Sequence, residues 1–353
     1  MTGEAKVNWP EVLQPLMRRD DVDPDLLAAA LATILEGNAT DAQIAAFAVA
    51  LRAKGETPAE LAALVRTMLR YSEIVAVAPE SEAGPIIDTC GTGGDRSHTF
   101  NISTVTALVV AGAGVRVAKH GNRAASSVCG SADVLEELGV VIDLDAAGVA
   151  QCIAEAGIGF CFAQKFHPAM RFAGPARAQI GVPTTFNFLG PLANPARVQR
   201  QVVGVGDPAM ADRVAATLVE LGSTRAMVFF GHDGLDELTT SDTSTVLHVR
   251  DGAVTSSTIE PLDLGLARAS RDDLRGGDAA ASAEIVRAIL GGETGPRRDV
   301  VLLNAAAALQ VAEIVDSWAE GVERAAAAID GGSARETLDR WIATSQRVMT
   351  GAQ

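Results

Sequence analysis

The sequence predicts an α/β protein in two parts: a small all-helical N-terminal domain, then a large domain with a mainly parallel central sheet flanked by helices. Three observations carry this. Between Asp23 and Tyr71 apolar residues recur at helical spacing behind recognisable caps; after Glu80 short β-rich runs alternate with helical stretches; and Asp88 to Thr104, DTCGTGGDRSHTFNIST, sets glycines between an apolar lead and an apolar helix-like run. The division falls at residues 1–80 and 81–353.

Each helix of the first part has a local reason. Asp23 before Pro24 fits an N-cap and first-turn proline, and Thr40 with Gln43 and Thr57 with Glu60 fit capping boxes. Gly37 and Gly55 stand where a helix ends on a left-handed residue, while Leu27, Leu31, Ile34 and Leu61, Leu64, Val65, Met68 form apolar stripes. In the second part the expected strands are Pro85–Asp88, Val115–Lys119, Gly139–Asp143, Val198–Gly204, Arg225–Phe230 and Thr245–Val249. Helical patterns lie between most of them, at Ser103–Ala113, Ala132–Glu137, Ala146–Ala156 and Pro208–Leu221, and again near the C-terminus, so ligands are expected at the carboxyl ends of the strands.

Length and composition narrow the classes. A chain of 353 residues, 48% hydrophobic and 21% charged, has ordinary globular usage, and its apolar runs are too short for a bilayer. No basic segment followed by an apolar stretch opens it, so no secretory signal is expected. The four cysteines, Cys90, Cys129, Cys152 and Cys161, have no zinc-like spacing and read as reduced thiols, which points to a cytoplasmic protein. A formal charge of -15 disfavours nucleic acid or an anionic membrane as partner. Two of only four lysines, Lys119 and Lys165, nevertheless fall in the acid-poor stretch from Arg116 to Arg177, a candidate anion site.

Four stretches carry chemistry. In the first, Gly91, Gly93 and Gly94 let consecutive N–H groups converge on a phosphate ahead of a helix N-terminus, and Asp95 suits a sugar hydroxyl or a cation. The second, KHGNRAASS from Lys119 to Ser127, follows a strand: Lys119 offers a point charge, Asn122 and the serines offer hydrogen bonds, and His120 reads as a base or a ring-stacking partner. The third, DGLDEL from Asp233 to Leu238, sets Asp236 beside Glu237. Such a pair suits Mg²⁺; by itself it more often marks a helix N-terminal turn, and only the phosphate loops elsewhere favour the metal. In the fourth, from His167 to Asn194, Arg177 has the geometry to clasp a carboxylate. Gly204, Gly206 and Ala209 match a dinucleotide-loop spacing, but Asp207-Pro208 is explained more simply as a helix cap, and no acidic residue follows at the required distance. Serine-nucleophile, HExxH and Walker patterns are missing.

Taken together, DTCGTGGD, NIST, KHGNRAASS, HPAMRFAGPAR, FNFLGPLANPA, DGLDEL and GPRRDVVLLNAAAAL make the chain resemble the anthranilate phosphoribosyltransferase family over nearly its whole length. The resemblance implies transfer of a phosphoribosyl group from phosphoribosyl pyrophosphate to the amine of anthranilate, with Mg²⁺ required. It implies that Gly91, Gly94, Asp95, Thr99, Asn101, Ile102, Ser103 and Thr104, then Lys119, His120, Gly121, Asn122, Arg123, Ala124, Ala125, Ser126 and Ser127, and Ser131, hold the phosphoribosyl pyrophosphate. By the same resemblance Gly91, Asn122 and Arg177 hold anthranilate, and Ser103, Asp236 and Glu237 hold the metal. It further implies that the helical domain takes in a returning segment near 165–190 and that a homodimer forms through that domain. Pyrimidine-nucleoside phosphorylases share the architecture and are the alternative enzyme class; a non-catalytic nucleic-acid-binding relative would need a basic groove. No catalytic base is obligatory, since the anthranilate amine is neutral, and His120 is the nearest candidate proton acceptor.

Overall fold

The computed structural model describes residues 7–95, 97–124 and 128–351. The first part is a bundle of α1 (Trp9–Arg18), α2 (Pro24–Leu35), α3 (Asp41–Lys54) and α4 (Pro58–Arg70). Asp23 accepts from the Asp25 N–H at 2.9 Å, and both capping boxes close: Thr40 with Gln43, and Thr57 with Glu60. Helix α1 escapes the sequence pattern because it is short and carries Pro15 inside, but Val12 and Leu16, one turn apart, anchor it in the core. Between α3 and α4 the buried Lys54 ammonium reaches Asp21 at 2.8 Å and Glu60 at 2.9 Å. Burial alone would lower the pKa of Lys54, but the hydrogen bonds and charges of Asp21 and Glu60 outweigh it and hold the pKa above its ordinary value.

The second part is built on a seven-stranded sheet: β1 (Ile86–Gly91), β2 (Arg116–Gly121), β3 (Ile158–Phe162), β4 (Arg200–Gly204), β5 (Arg225–Gly231), β6 (Ser244–Arg250) and β7 (Ala253–Ile259). The order is β3-β2-β1-β4-β5-β6-β7, parallel from β3 to β5 and antiparallel at β5–β6–β7. This is the predicted fold class, with two changes in its strands. Residues 139–143 form no strand. Val140, Ile142 and Leu144 alternate inward as a strand would, but the segment runs under the C-terminal helix Ser333–Thr350, where the Val141 N–H donates to Ser345 Oγ at 3.0 Å. The third strand comes later, at Ile158–Phe162, directly after the left-handed Gly157. Strand β7 is the other addition. Asp251 and Gly252, at φ 52° and 76°, make the tight two-residue turn that an Asp-Gly pair favours, and β7 pairs back on β6 with six of its seven residues exposed.

Successive residues of β4 and β5 serve opposite faces. Val202, Met227 and Phe229 join the core under helix Ile102–Gly112 and the C-terminal helices, while Val203, Ala226 and Val228 join a core continuous with the bundle. Strand order reverses between β1 and β4, since β2 and β3 lie on one side of β1 and β4 and β5 on the other. The crevice beyond their carboxyl ends is where a parallel sheet collects ligands. No helix among the described residues is long and apolar enough to cross a membrane.

Candidate active site

Three strand ends converge at that switch point. After β1, the glycine loop is clamped to the Asp233–Leu238 loop that follows β5: the Gly93 N–H donates to Asp236 Oδ2 at 2.7 Å, and the Asp236 N–H lies 3.4 Å from Asp95 Oδ2. Ser97 donates to the same Asp95 oxygen at 2.5 Å. Two glycines are demanded by this packing. A Cβ on Gly204 would stand 1.6 Å from the Asp236 carbonyl oxygen, and one on Gly91 would stand 2.9 Å from its carboxylate. Gly204 therefore serves loop packing, and Asp207 caps the short turn after it by accepting from the Ala209 N–H at 3.1 Å, which disposes of a dinucleotide loop here.

The acidic pair resists ionisation. Burial, then the Asp95 carboxylate, pushes Asp236 up to about 7. Burial and Asp236 push Glu237 well above the carboxylate range, against the pull of Lys119 and the Ser103 N–H. Lys119 does not reach outward as a free point charge. Its ammonium is buried and donates to the Thr89 carbonyl at 2.7 Å and to Ser103 Oγ at 3.2 Å, which ties β1, β2 and the start of helix Ile102–Gly112 together. Burial lowers its pKa, with Asp88, Cys90 and Glu237 opposing.

Beneath it lies Asp88, fully buried, accepting from the His120 N–H at 2.9 Å and the Asn194 amide at 2.8 Å; burial raises its pKa to about 6. The His120 ring lies 5.1 Å from that of His167, so the second and fourth stretches meet. Burial and the His167 charge lower His120 to about 3, and burial lowers His167 to about 4, leaving both neutral at pH 7. Gln164 adds a second link, donating to Asn122 Oδ1 at 3.3 Å.

The remaining predicted residues divide. Asn101 precedes helix Ile102–Gly112; its amide donates to the Cys129 carbonyl at 3.2 Å, and among the described residues its buried Oδ1 has no partner, nor has the hydroxyl of Thr104. Ile102 is packed in the core, and Thr99 bridges to Arg275. Ser131 Oγ and Gly121 crowd together, a Cβ on the glycine falling 2.3 Å from that oxygen, while Ser131 donates to the Asn122 carbonyl. Arg123 is held by Asp133 at 2.9 Å and Glu136 at 2.5 Å, and the Ala124 N–H also donates to Asp133. Gly94 is exposed at φ 89°. Ala125, Ser126 and Ser127 lie outside the described residues. Arg177 has no acidic partner among the described residues; its guanidinium lies 5.7 Å from the Phe186 ring centroid, and burial lowers its pKa.

Two residues given no role from sequence hold this frame. Asn194 bridges Asp88 and the Ala118 carbonyl, each at 2.8 Å. Asn304 donates to the Leu238 carbonyl at 2.9 Å and accepts from the Leu238 N–H at 3.1 Å, fixing the acidic loop from a helix otherwise buried and apolar. Their signal is a lone amide in an apolar run, as in LLNAAAAL. The donors present suit a hard cation: two neighbouring carboxylates raised chiefly by burial and a hydroxyl at Ser103. No group of three His, Cys, Asp or Glu side chains among the described residues forms a metal cage. Mg²⁺ takes one or two carboxylates and completes its octahedron with phosphate and water.

Comparison with known proteins supports this assembly. The glycosyl transferase family a/b domain matches residues 83–335, and the family's helical bundle domain matches residues 10–72. An anthranilate phosphoribosyltransferase from Salinispora arenicola is 52% identical over 345 residues, covering 96% of this chain and 97% of its own length. One from Chloroflexus aggregans is 54% identical over 342 residues, covering 96% and 99%. Among solved structures, the anthranilate phosphoribosyltransferase of Thermus thermophilus superposes with a TM-score of 0.89 at 38% identity, covering 95% of this chain and 99% of that one. The Saccharomyces cerevisiae enzyme in complex with PRPP and Mg gives 0.87 at 26% identity, covering 97% and 99%. With both domain matches in sequence order and this identity sustained along the chain, the protein belongs to the anthranilate phosphoribosyltransferase family of glycosyl transferases.

Proposed function

We infer that this chain transfers the phosphoribosyl group of 5-phosphoribosyl 1-pyrophosphate to the amine of anthranilate, giving N-(5-phosphoribosyl)anthranilate and pyrophosphate in tryptophan biosynthesis. The observation that carries the reading is the convergence of the glycine loop, the Ser103–Lys119 corner and the Asp236–Glu237 pair at one switch point, in a chain over half identical to enzymes of that name. Mg²⁺ held by Ser103, Asp236 and Glu237 supplies positive charge at the phosphate oxygens when bound. Around it, Gly91, Gly94, Asp95, Thr99 and the Asn101–Thr104 helix start hold the phosphoribosyl pyrophosphate together with Lys119–Ser127 and Ser131. Backbone N–H donors placed at the leaving pyrophosphate would act where negative charge builds, an effect worth several kcal/mol in comparable sites.

Arg177 and Asn122, with the close approach allowed at Gly91, orient anthranilate. An arginine without an acidic partner is ready for a carboxylate. Fixing the amine near the ribose C1 contributes through proximity, up to roughly 7–11 kcal/mol in favourable cases. His120 is a weak candidate for taking the proton, because burial beside His167 disfavours its cation, so pyrophosphate or water is the better acceptor. We assign residues 1–80 and the segment near 165–190 to one domain, and dimerisation to its surface. Exposed Met17 and Val49 on α1 and α3 support the latter, and four buried cysteines that form no disulfide support a reducing, cytoplasmic setting. The test is direct: anthranilate fluorescence falls only when phosphoribosyl pyrophosphate and Mg²⁺ are both added, and a loss that needs neither, or no loss with both, overturns the assignment.

A further inference from the structure

The turn from α3 to α4, RAKGET at Arg52–Thr57, contributes nothing to the site by itself, yet it holds a buried charge that touches both halves of the molecule. Glu56 is 2% exposed. One of its oxygens accepts from the Thr185 hydroxyl at 2.5 Å, and the other lies 3.4 Å from Arg52 and 4.0 Å from Arg213. Arg52 in turn pairs with Asp207 at 2.5 Å and lies 5.1 Å from the Phe188 ring centroid. Gly55 makes room for this: a Cβ there would stand 3.0 Å from the Arg213 guanidinium.

Each partner leads to a substrate region. Thr185 immediately precedes Phe186, the ring under Arg177. Asp207 follows Gly206, whose N–H donates to Thr92 Oγ1 at 3.0 Å and where a Cβ would stand 2.8 Å from the Gly93 carbonyl oxygen. A displacement of Glu56 and Arg52 thus reaches the ring beneath the guanidinium and the back of the glycine loop through one residue step each, Thr185 to Phe186 and Asp207 to Gly206. The bundle's helix caps and its Lys54 pair do not use this carboxylate. Its helices are capped by Thr40 and Thr57, and the neighbouring Lys54 is neutralised by Asp21 and Glu60 rather than by Glu56.

We propose that Glu56 and Arg52 are positioning residues that register the helical bundle against both substrate subsites, Glu56 through Thr185 on the anthranilate side and Arg52 through Asp207 on the phosphate side. The proposal rests on the function inferred above and assigns that reaction a pair of residues that touch neither substrate. It predicts a division of labour that a merely structural role would not produce.

Steady-state kinetics of Glu56→Gln, Thr185→Val and Arg52→Met, with melting temperatures measured alongside, test it. Glu56→Gln and Thr185→Val should raise KM for anthranilate about fivefold to tenfold with much smaller changes in KM for phosphoribosyl pyrophosphate, the size expected for one misaligned charge-assisted hydrogen bond. Arg52→Met should show the opposite selectivity, and Thr185→Ser should restore the parent values. Should Glu56→Gln fail to fold, Thr185→Val and its serine rescue carry the same test without altering charge. Equal changes for both substrates, changes that track lost melting temperature, or parent-like KM values in folded variants overturn the proposal. Parent enzyme that turns over no anthranilate overturns the functional reading instead, so the two failures are distinct.

Discussion

In the helical bundle the buried charges Lys54, Glu56 and Glu60 each sit within ion-pair or hydrogen-bond reach of a partner, and no buried side-chain polar atom among the described residues 7–72 goes without one. Around the carboxyl ends of β1 and β2 the opposite holds. Asn101 Oδ1, Thr104 Oγ1 and His120 Nε2 are buried and have no partner among the described residues, while Asp88, Asp236 and Glu237 are carboxylates whose acidity burial opposes. An unpaired buried polar group costs roughly 1–3 kcal/mol, so this concentration is a stability penalty kept in one place. The bundle is organised for stability, and the loops are organised for a charged ligand that completes them.

The largest effect should come from the acidic pair. Asp236→Asn combined with Glu237→Gln should lower turnover at limiting Mg²⁺ by about 100-fold or more without lowering the melting temperature of the ligand-free protein. Initial rates against Mg²⁺ concentration decide it, and an unchanged dependence removes both residues from the metal site. Next, Arg177→Ala should weaken anthranilate about 10- to 100-fold, the loss of a charge-assisted pair, and phosphoribosyl pyrophosphate far less. Equal losses for both substrates would remove the arginine from the acceptor site.

The histidine pair sharpens the contrast through pH. A histidine whose folded pKa is depressed contributes stability that is present above its ordinary pKa of 6.5 and is lost as pH falls toward the folded value, about 4 for His167. That is about 3 kcal/mol across the window. Asp88, raised to about 6, works in the reverse direction: its contribution is present at pH near 3.8 and is lost as pH rises through 6. The parent therefore shows the difference, and His167→Asn should unmask a smaller loss of stability on acidification than the parent shows. Urea unfolding at pH 6.5, 5 and 4 measures it, and parallel curves for the two proteins would refute it. The smallest effect belongs to the bundle: Thr40→Ala, which opens a capping box, should cost about 1 kcal/mol of stability and leave both KM values in place. A kinetic effect there would blur the distinction between the two regions.

Much of this was legible in advance for local reasons. Caps at Asp23, Thr40 and Thr57 are visible because a helix start is decided within four residues, and the helix Ala146–Ala156 falls where its pattern ends. The strand expected at residues 139–143 fails because alternation reports which side chains are buried and is silent on whether another strand or a helix covers them. The Asp251-Gly252 hairpin was readable from its turn residues, but β7 has almost no apolar residues to mark it as a strand.

By itself, the sequence determined the fold class, the residue types available to bind phosphate, carboxylate and cation, and the family to which those motifs belong, because these depend on chemistry within a short stretch. Only the tertiary structure decided what each residue does in its neighbourhood. Lys119 turned inward to join Thr89 and Ser103 rather than standing free, and Arg123 was occupied by Asp133 and Glu136. Asn304, Asn194 and Glu56 acquired tasks through partners 66, 106 and 129 positions away. Burial and long-range pairing set pKa values and hydrogen-bond demand, and neither exists until the sheet brings its strand ends together.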